Sequence, residues 1–201
     1  MSYSYLTIAK SVGDEFFKEK GSKFIGYAMP IDTEEDVKSE LEKLWTLHPE
    51  ATHICYAYRL GMEGEIYRAN DDGEPSGSAG LPIYNQILSK GITNVLVASV
   101  RYYGGTKLGV GGLVRAYKLS AQMILEKAEI TEKFLMEQFE FEFSYEDQGS
   151  VMRIIDKFGA EVLQTGFTDS CQLKIRVRSE IVENFLAAFE PLYKVKIIRK
   201  G

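Results

Sequence analysis

Apolar positions along this chain switch between a period of two and a period near four, and the switches mark its elements. Ser4 to Ala9 alternates weakly and predicts a strand. Phe16-Phe17 and Lys23 to Met29 read as further strand material around the turn residues Lys20-Gly21-Ser22, and Pro30 stops that run. A helix start follows, with Thr33 as N-cap, Asp36 three positions on and acids in the first turn. Val37, Leu41, Leu44 and Trp45 make its apolar face, and it ends before Pro49. Thr52 to Leu60 is an aromatic-rich strand, which turns at Gly61 to Gly64 and returns as a hairpin through Glu65 to Ala69. Asn70 to Gly80 is a loop of turn-forming residues. A short helix comes next, with Ser78 as its cap, Pro82 early, Gly91 just past its end, and Tyr84, Ile87 and Leu88 facing inward. Asn94 to Val100 is a nearly continuous β-branched run, as expected of a strand covered on both sides. After the loop Arg101 to Gly112, a long helix is predicted from about Leu113 to Ala128. Leu113, Val114, Tyr117, Ala121, Ile124, Leu125 and Ala128 form its stripe, with Arg115, Lys118 and Gln122 on another face.

Beyond Glu132-Lys133 the pattern changes. Phe134 to Ser144 alternates cleanly, and helical spacing at Val151, Ile154, Ile155 and Phe158 ends at Gly159. Glu161 to Thr165 and Cys171 to Val177 predict a hairpin. A helix capped by Ser179 carries Ile181, Val182, Phe185, Leu186 and Phe189, and Tyr193 to Arg199 is the last strand. That order is βαββαβ, a ferredoxin-like arrangement. The fold class is therefore α+β in two domains, residues 1–133 and 134–201. The first is expected to hold about four strands with two or three helices.

Charge changes this picture in one place. The chain is acidic, with a formal net charge of -5, which argues against indiscriminate binding of nucleic acid by the whole surface. Yet Pro75 to Leu125 contains no Asp or Glu, where the average rate would place about seven. The window keeps Lys90, Arg101, Lys107, Arg115 and Lys118, and eight glycines. Burial accounts for the absence of acids over Asn94 to Val100 but not over a basic, glycine-rich loop. Such a segment is suited to an anion. The two cysteines, Cys55 and Cys171, form neither a disulfide framework nor a zinc pattern and fit a reducing compartment. No signal peptide and no membrane-spanning run is seen, so a cytoplasmic location is expected.

The loop fails the standard nucleotide templates. A Walker loop needs Gly-Lys-Ser/Thr after four intervening residues, but Gly104 leads to Gly109-Val110. A dinucleotide fingerprint needs glycine where Val114 stands. What remains is a strand-to-helix turn with exposed N–H groups, Lys107 in the loop and Arg115 one turn into the helix. Ser76-Gly77-Ser78-Ala79-Gly80 makes a second such turn. If both helices open on one edge of a sheet, their N-termini with Arg59, Arg68 and Arg101 would suit a phosphate backbone. Tyr56, Tyr58, Tyr102 and Tyr103 are candidates for base stacking, half of them expected in the core. Asp71, Asp72 and Glu74 lack calcium-loop spacing and read as turn formers, or as partners of Arg68 or Arg101. His53 and Cys55 share a strand face but stand about 7 Å apart, too far for a working dyad. His48, before Pro49, reads as a helix end. No metal and no cofactor is expected.

Two long segments carry a resemblance. Arg68-Ala-Asn-Asp-Asp-Gly-Glu-Pro-Ser-Gly-Ser-Ala-Gly-Leu-Pro82 and Val100-Arg-Tyr-Tyr-Gly-Gly-Thr-Lys-Leu-Gly-Val-Gly-Gly-Leu-Val-Arg-Ala-Tyr117 resemble the signature of the IMPACT/YigZ family. The resemblance covers essentially the full chain. It implies an N-terminal domain similar to a ribosomal-protein fold, the domain IV type of elongation factor G, and a C-terminal domain similar to domain V of that factor. Eukaryotic relatives modulate translation by interfering with activation of a starvation-responsive initiation-factor kinase. They do so through a further N-terminal domain that this sequence does not contain, so that role is not expected to carry over. The leading expectation is a non-enzymatic factor that binds RNA or the ribosome and tunes translation. Its site would be Arg59, Arg68, Ser76, Ser78, Arg101, Gly104, Gly105, Lys107, Gly111, Gly112, Arg115 and Lys118. One alternative is a hydrolase, or another enzyme on an anionic substrate, using the Asp71–Ser78 loop. Another is a protein-interaction module in stress regulation, with a protein partner in translation control.

Overall fold

Short turns between strand-forming runs leave the first half of the chain little choice but antiparallel pairing. A computed structural model describes residues 3–200, without the side chain of Lys200. Its strands are β1 (Ser4–Ile8), β2 (Val12–Glu19), β3 (Ser22–Pro30), β4 (His53–Leu60), β5 (Ile66–Asn70), β6 (Val95–Tyr102) and β7 (Ile130–Phe134). The helices among them are α1 (Glu34–Leu47), α2 (Gly80–Lys90) and α3 (Val110–Lys127). Five strands form one antiparallel sheet in the order β2-β3-β6-β4-β5, while β1 pairs with β7 in a separate ribbon. The chain divides into two units, one spanning Tyr5–Lys133 and a second running from Phe134 onward with Tyr3 and Ser4.

Alternation assigns the two faces of the five-stranded sheet. Phe24, Ala28, Cys55, Ala57, Val95 and Val97 face α2 and α3, which contribute Ile83, Ile87, Leu113, Tyr117, Ala121 and Ile124. Ile25, Tyr27, Met29, Ile54, Tyr58, Leu96 and Val100 face α1 through Val37 and Leu44. β6 is thus buried on both sides, which is what its unbroken apolar run predicts. Gly26 lets α3 lie close on β3, because a Cβ there would stand 2.9 Å from the Ser120 carbonyl oxygen.

The start of α1 follows its sequence. Thr33 Oγ1 accepts from the Asp36 N–H at 3.1 Å, and Asp36 Oδ2 accepts from the Thr33 N–H at 2.9 Å, a reciprocal capping box. Three expectations shift. α3 begins at Val110 rather than Leu113 because glycines 111 and 112 are tolerated in a first turn. Leu88 is solvent-exposed, and Ile83 takes the inward position on α2. The unit holds more than about four strands, because β1, β7 and the charged edge strand β2 bury too little to show a strong pattern.

Burial also sets an alkaline limit. Tyr58 donates to Glu34 in the first turn of α1, and burial, with that bond second, pushes its hydroxyl up to about 12. Burial and an Asp14 bond raise Tyr27 as well. An unfolded tyrosine ionises near pH ~10, so the folded pKa lies above the unfolded one. The stability these groups contribute is whole below about pH 10 and is lost as pH rises through the folded value. The urea midpoint is therefore expected to fall between about pH 10 and pH 12, and less steeply in Tyr58→Phe. A midpoint with the same slope in both proteins would contradict this.

The second unit runs β8 (Met136–Phe143), α4 (Gln148–Phe158), β9 (Glu161–Phe167), β10 (Cys171–Arg178), α5 (Val182–Ala187) and β11 (Lys196–Lys200). Its sheet has the order β11-β8-β10-β9, all pairs antiparallel. Phe139, Phe141, Phe143, Leu173 and Ile175 pack under Val151, Ile155 and Phe185. Gly159 ends α4 in the left-handed conformation, as its position implies. Ser179 does not cap α5; it opens a 3-10 turn, and the helix starts at Val182 with no side-chain cap. Among the described residues no helix is long and apolar enough to cross a membrane.

Candidate anion-binding cleft

β4 begins and β6 ends at the same edge of the sheet, where His53 pairs directly with Arg101. Both residues lie on the face that α2 and α3 cover, and both helices start at this edge. Between them opens a cleft of about 510 Å³ lined by His53, Glu74, Arg101, Tyr103, Lys107 and the start of α3.

The floor of the cleft is a buried ion pair. Arg101 is 5% exposed, so it is not the surface ligand its charge suggests. Its Nη1 donates to Glu74 Oε1 at 2.5 Å, its Nη2 donates to Ser22 Oγ at 3.3 Å, and its guanidinium lies over the rings of Phe24 and Tyr103. Tyr117 donates to the same Glu74 oxygen at 2.7 Å. Burial raises the Tyr117 hydroxyl far above its usual range, so it stays a donor. Arg101 sits near the end of a strand buried on both faces, and such a charge persists only with a partner. Glu74 is that partner, one of the two pairings the sequence left open.

The second predicted helix start is closed. The Asp71 carboxylate accepts from the N–H groups of Gly77, Ala79 and Gly80 at 2.8, 2.9 and 2.8 Å. It therefore caps α2 and occupies the amides an external anion would need. Ser78 is not the cap: it is fully buried, and its Oγ has no hydrogen-bond partner among the described residues. Ser76 is exposed on the same closed turn. Asp72 is also engaged, its Oδ2 accepting from the Ile54 N–H at 2.7 Å and its carbonyl facing His53 Nδ1 at 2.6 Å. Cys55 is buried with Sγ 3.0 Å from the Asp71 carbonyl oxygen, and burial pushes its thiol up. Neither partner of the His53–Cys55 pair is turned to the other. Among the described residues no group of three or more His, Cys, Asp or Glu is arranged to hold a metal ion.

The start of α3 is open. Gly109, with φ +74, is its N-cap; among the described residues no side chain caps it, and its first turn holds no acid. Lys107 is exposed at the rim. Arg115 is exposed and reaches back toward the first turn, where a Cβ on Gly111 would stand 3.7 Å from its Nη1. Cations are unfavourable at the positive end of a helix unless an anion joins them. The glycines divide by role. Gly105, with φ +83, leaves open space, while a Cβ on Gly111 would be in ordinary contact with the Arg115 side chain. Gly112 lies in the first turn of α3 against Leu108. Gly104 is a packing residue, because its N–H donates to Ser22 Oγ at 3.2 Å and a Cβ would fall 1.9 Å from the Gly21 carbonyl carbon.

Three predicted cations fall outside the cleft. Arg59 lies toward the far end of β4, holding the carbonyls of Ile92 at 3.0 Å and Glu63 at 2.6 Å. Arg68 pairs with Tyr58 across β5 and so faces the α1 side. Lys118 is exposed, but eight residues into α3, about 12 Å along its axis. Of the four tyrosines, Tyr58 is buried, Tyr56 and Tyr102 are half-buried, and Tyr103 is 46% exposed over Arg101. His48 closes α1 and bonds Tyr27 at 2.7 Å and Tyr102 at 2.9 Å, on the opposite face. The cleft residues that sequence reasoning did not place in the site are His53, read only as half of an unworkable dyad, and Tyr117, read as core; Glu74 was named only as a possible partner of Arg101. The only available signal for His53 was its shared strand parity with Cys55.

The Impact N-terminal domain family model matches residues 20–125. Over 136 residues the chain is 38% identical to IMPACT family member YvyE of Bacillus subtilis, covering 68% of this chain and 62% of that one. It is 32% identical over 168 residues to an IMPACT family member of Haemophilus influenzae, covering 83% and 82%. A crystal structure of a hypothetical protein superposes on 100% of this chain and 99% of its own, with a TM-score of 0.71 and 25% identity. The residues that line the cleft all fall inside the matched segment, and the chain belongs to the IMPACT family.

Proposed function

We propose that this chain binds RNA or the ribosome at the cleft beside the start of α3 and modulates translation without catalysing a reaction. The observation that carries the reading is an uncapped, acid-free helix start with Lys107 on the lining of the cleft and Arg115 reaching back to the first turn. Tyr103, exposed at the rim, offers a face on which a base can stack. Translation is the setting that the family resemblance implies. The βαββαβ order of the second unit, with β8 and β10 central, supports a ferredoxin-like domain similar to domain V of elongation factor G. The first unit is read as the domain IV type of that factor. Two buried, unpaired cysteines fit a cytoplasmic setting. The hydrolase reading is weaker, because the carboxylates of Asp71 and Asp72 accept backbone N–H bonds.

Binding of a single-stranded RNA, followed by fluorescence anisotropy across a salt series, tests this. Lys107→Ala/Arg115→Ala is expected to flatten the slope of log affinity against log salt by about 1.4, about 0.7 for each phosphate no longer neutralised. An unchanged slope would remove the proposed site. Salt-insensitive capture of a protein partner would favour the interaction-module reading instead.

A further inference from the structure

His53 enters the cleft from the first position of β4, its ring oriented by a single bond. Nδ1 lies 2.6 Å from the Asp72 carbonyl oxygen. A carbonyl only accepts, so Nδ1 carries a hydrogen in both protonation states. Nε2 is thereby the nitrogen that titrates. It stands 4.0 Å from Glu74 Oε1, beyond hydrogen-bond reach.

The charged and titratable groups around this ring come from three segments. Asp72 and Glu74 belong to the loop before α2, Arg101 to β6, and Tyr103 and Lys107 to the loop before α3. Glu74 is already joined to Arg101, so that pair offers an arriving anion little net attraction. A neutral His53 presents a lone pair to the cleft, which repels a phosphate oxygen. A protonated His53 presents an N–H there, which attracts the phosphate and Glu74 alike.

We infer that His53 is a further ligand of the phosphate group in this cleft, and that binding takes up a proton on its Nε2. This rests on the RNA-contact reading above. A ten-residue oligouridylate is a suitable probe, because neither its phosphodiesters nor its bases change protonation near neutral pH. At constant ionic strength its affinity is expected to rise roughly three- to tenfold from about pH 7.5 to about pH 6. His53→Gln, which keeps a neutral donor but does not titrate, is expected to flatten that dependence, and His48→Gln is expected to retain it. The ring proton resonances of His53 should titrate at higher pH with the oligonucleotide bound than without it. A pH-independent affinity, or a dependence that survives in His53→Gln, overturns the inference and leaves the Lys107 and Arg115 site standing. Failure of the wild-type protein to bind the oligonucleotide at either pH overturns both.

Discussion

Glu74→Ala is expected to lower the unfolding free energy of the Tyr5–Lys133 unit by about 3–5 kcal/mol. Arg101 is 5% exposed, and its guanidinium is paired with this carboxylate at 2.5 Å. Removing the carboxylate strands a guanidinium inside the protein, since Ser22 Oγ at 3.3 Å is a neutral partner. Tyr117, fully buried, loses its acceptor in the same step. The cost is that of leaving the partner uncompensated rather than the net worth of the pair. It follows that Glu74→Ala/Arg101→Met should recover most of the loss. Urea denaturation followed by the fluorescence of Trp45, the single tryptophan, reports on this unit. A loss under about 1 kcal/mol in the single variant, or none recovered in the double one, would show that the pair is not the keystone of the cleft.

Gly104→Ala should cost about 1–3 kcal/mol, or more, and displace the loop that carries Lys107. The added Cβ would stand 1.9 Å from the Gly21 carbonyl carbon, 2.1 Å from the Gly21 oxygen and 2.3 Å from the Ser22 nitrogen. All three are backbone atoms of the tight turn between β2 and β3, so no side chain can swing away. Relief requires parting the loop from that turn, which also breaks the Gly104 N–H bond to Ser22. Gly105→Ala is the internal reference. Its φ of +83 strains alanine by about 1 kcal/mol, yet nothing lies within 4 Å of its Cβ position. Gly104→Ala should therefore be the more damaging to stability and to RNA affinity. Equal effects at the two positions would show that the loop is not held against the β2–β3 turn.

What could be read ahead of the structure was local. Thr33 and Asp36 announced a capping box, the Asn94 to Val100 run announced a strand covered on both faces, and alternation past Phe134 announced the βαββαβ order. What could not be read depended on register and reach. Glu74 meets Arg101 only because the β4–β6 register brings His53 and Arg101 side by side and the intervening loop folds over them. Arg68 lies on the α1 side because Tyr58 stands opposite it, and a one-residue slip would have placed it with the cleft. Serine before a helix is the ordinary expectation for a cap, but Asp71, nine residues before Gly80, brings a full charge to three amides at once. The acid-free window concealed that one of its cations, Arg101, is neutralised from just outside it by Glu74.

The central claim is that a negative ligand meets the open first turn of α3. Nitrogen-15 spectra recorded while oligouridylate is added observe that turn directly. The account predicts the largest shifts at the amides of Val110, Gly111 and Gly112 and in the Lys107 loop, abolished in Lys107→Ala/Arg115→Ala. Shifts confined to the polar face of the second unit's sheet, with those amides unmoved, would contradict it.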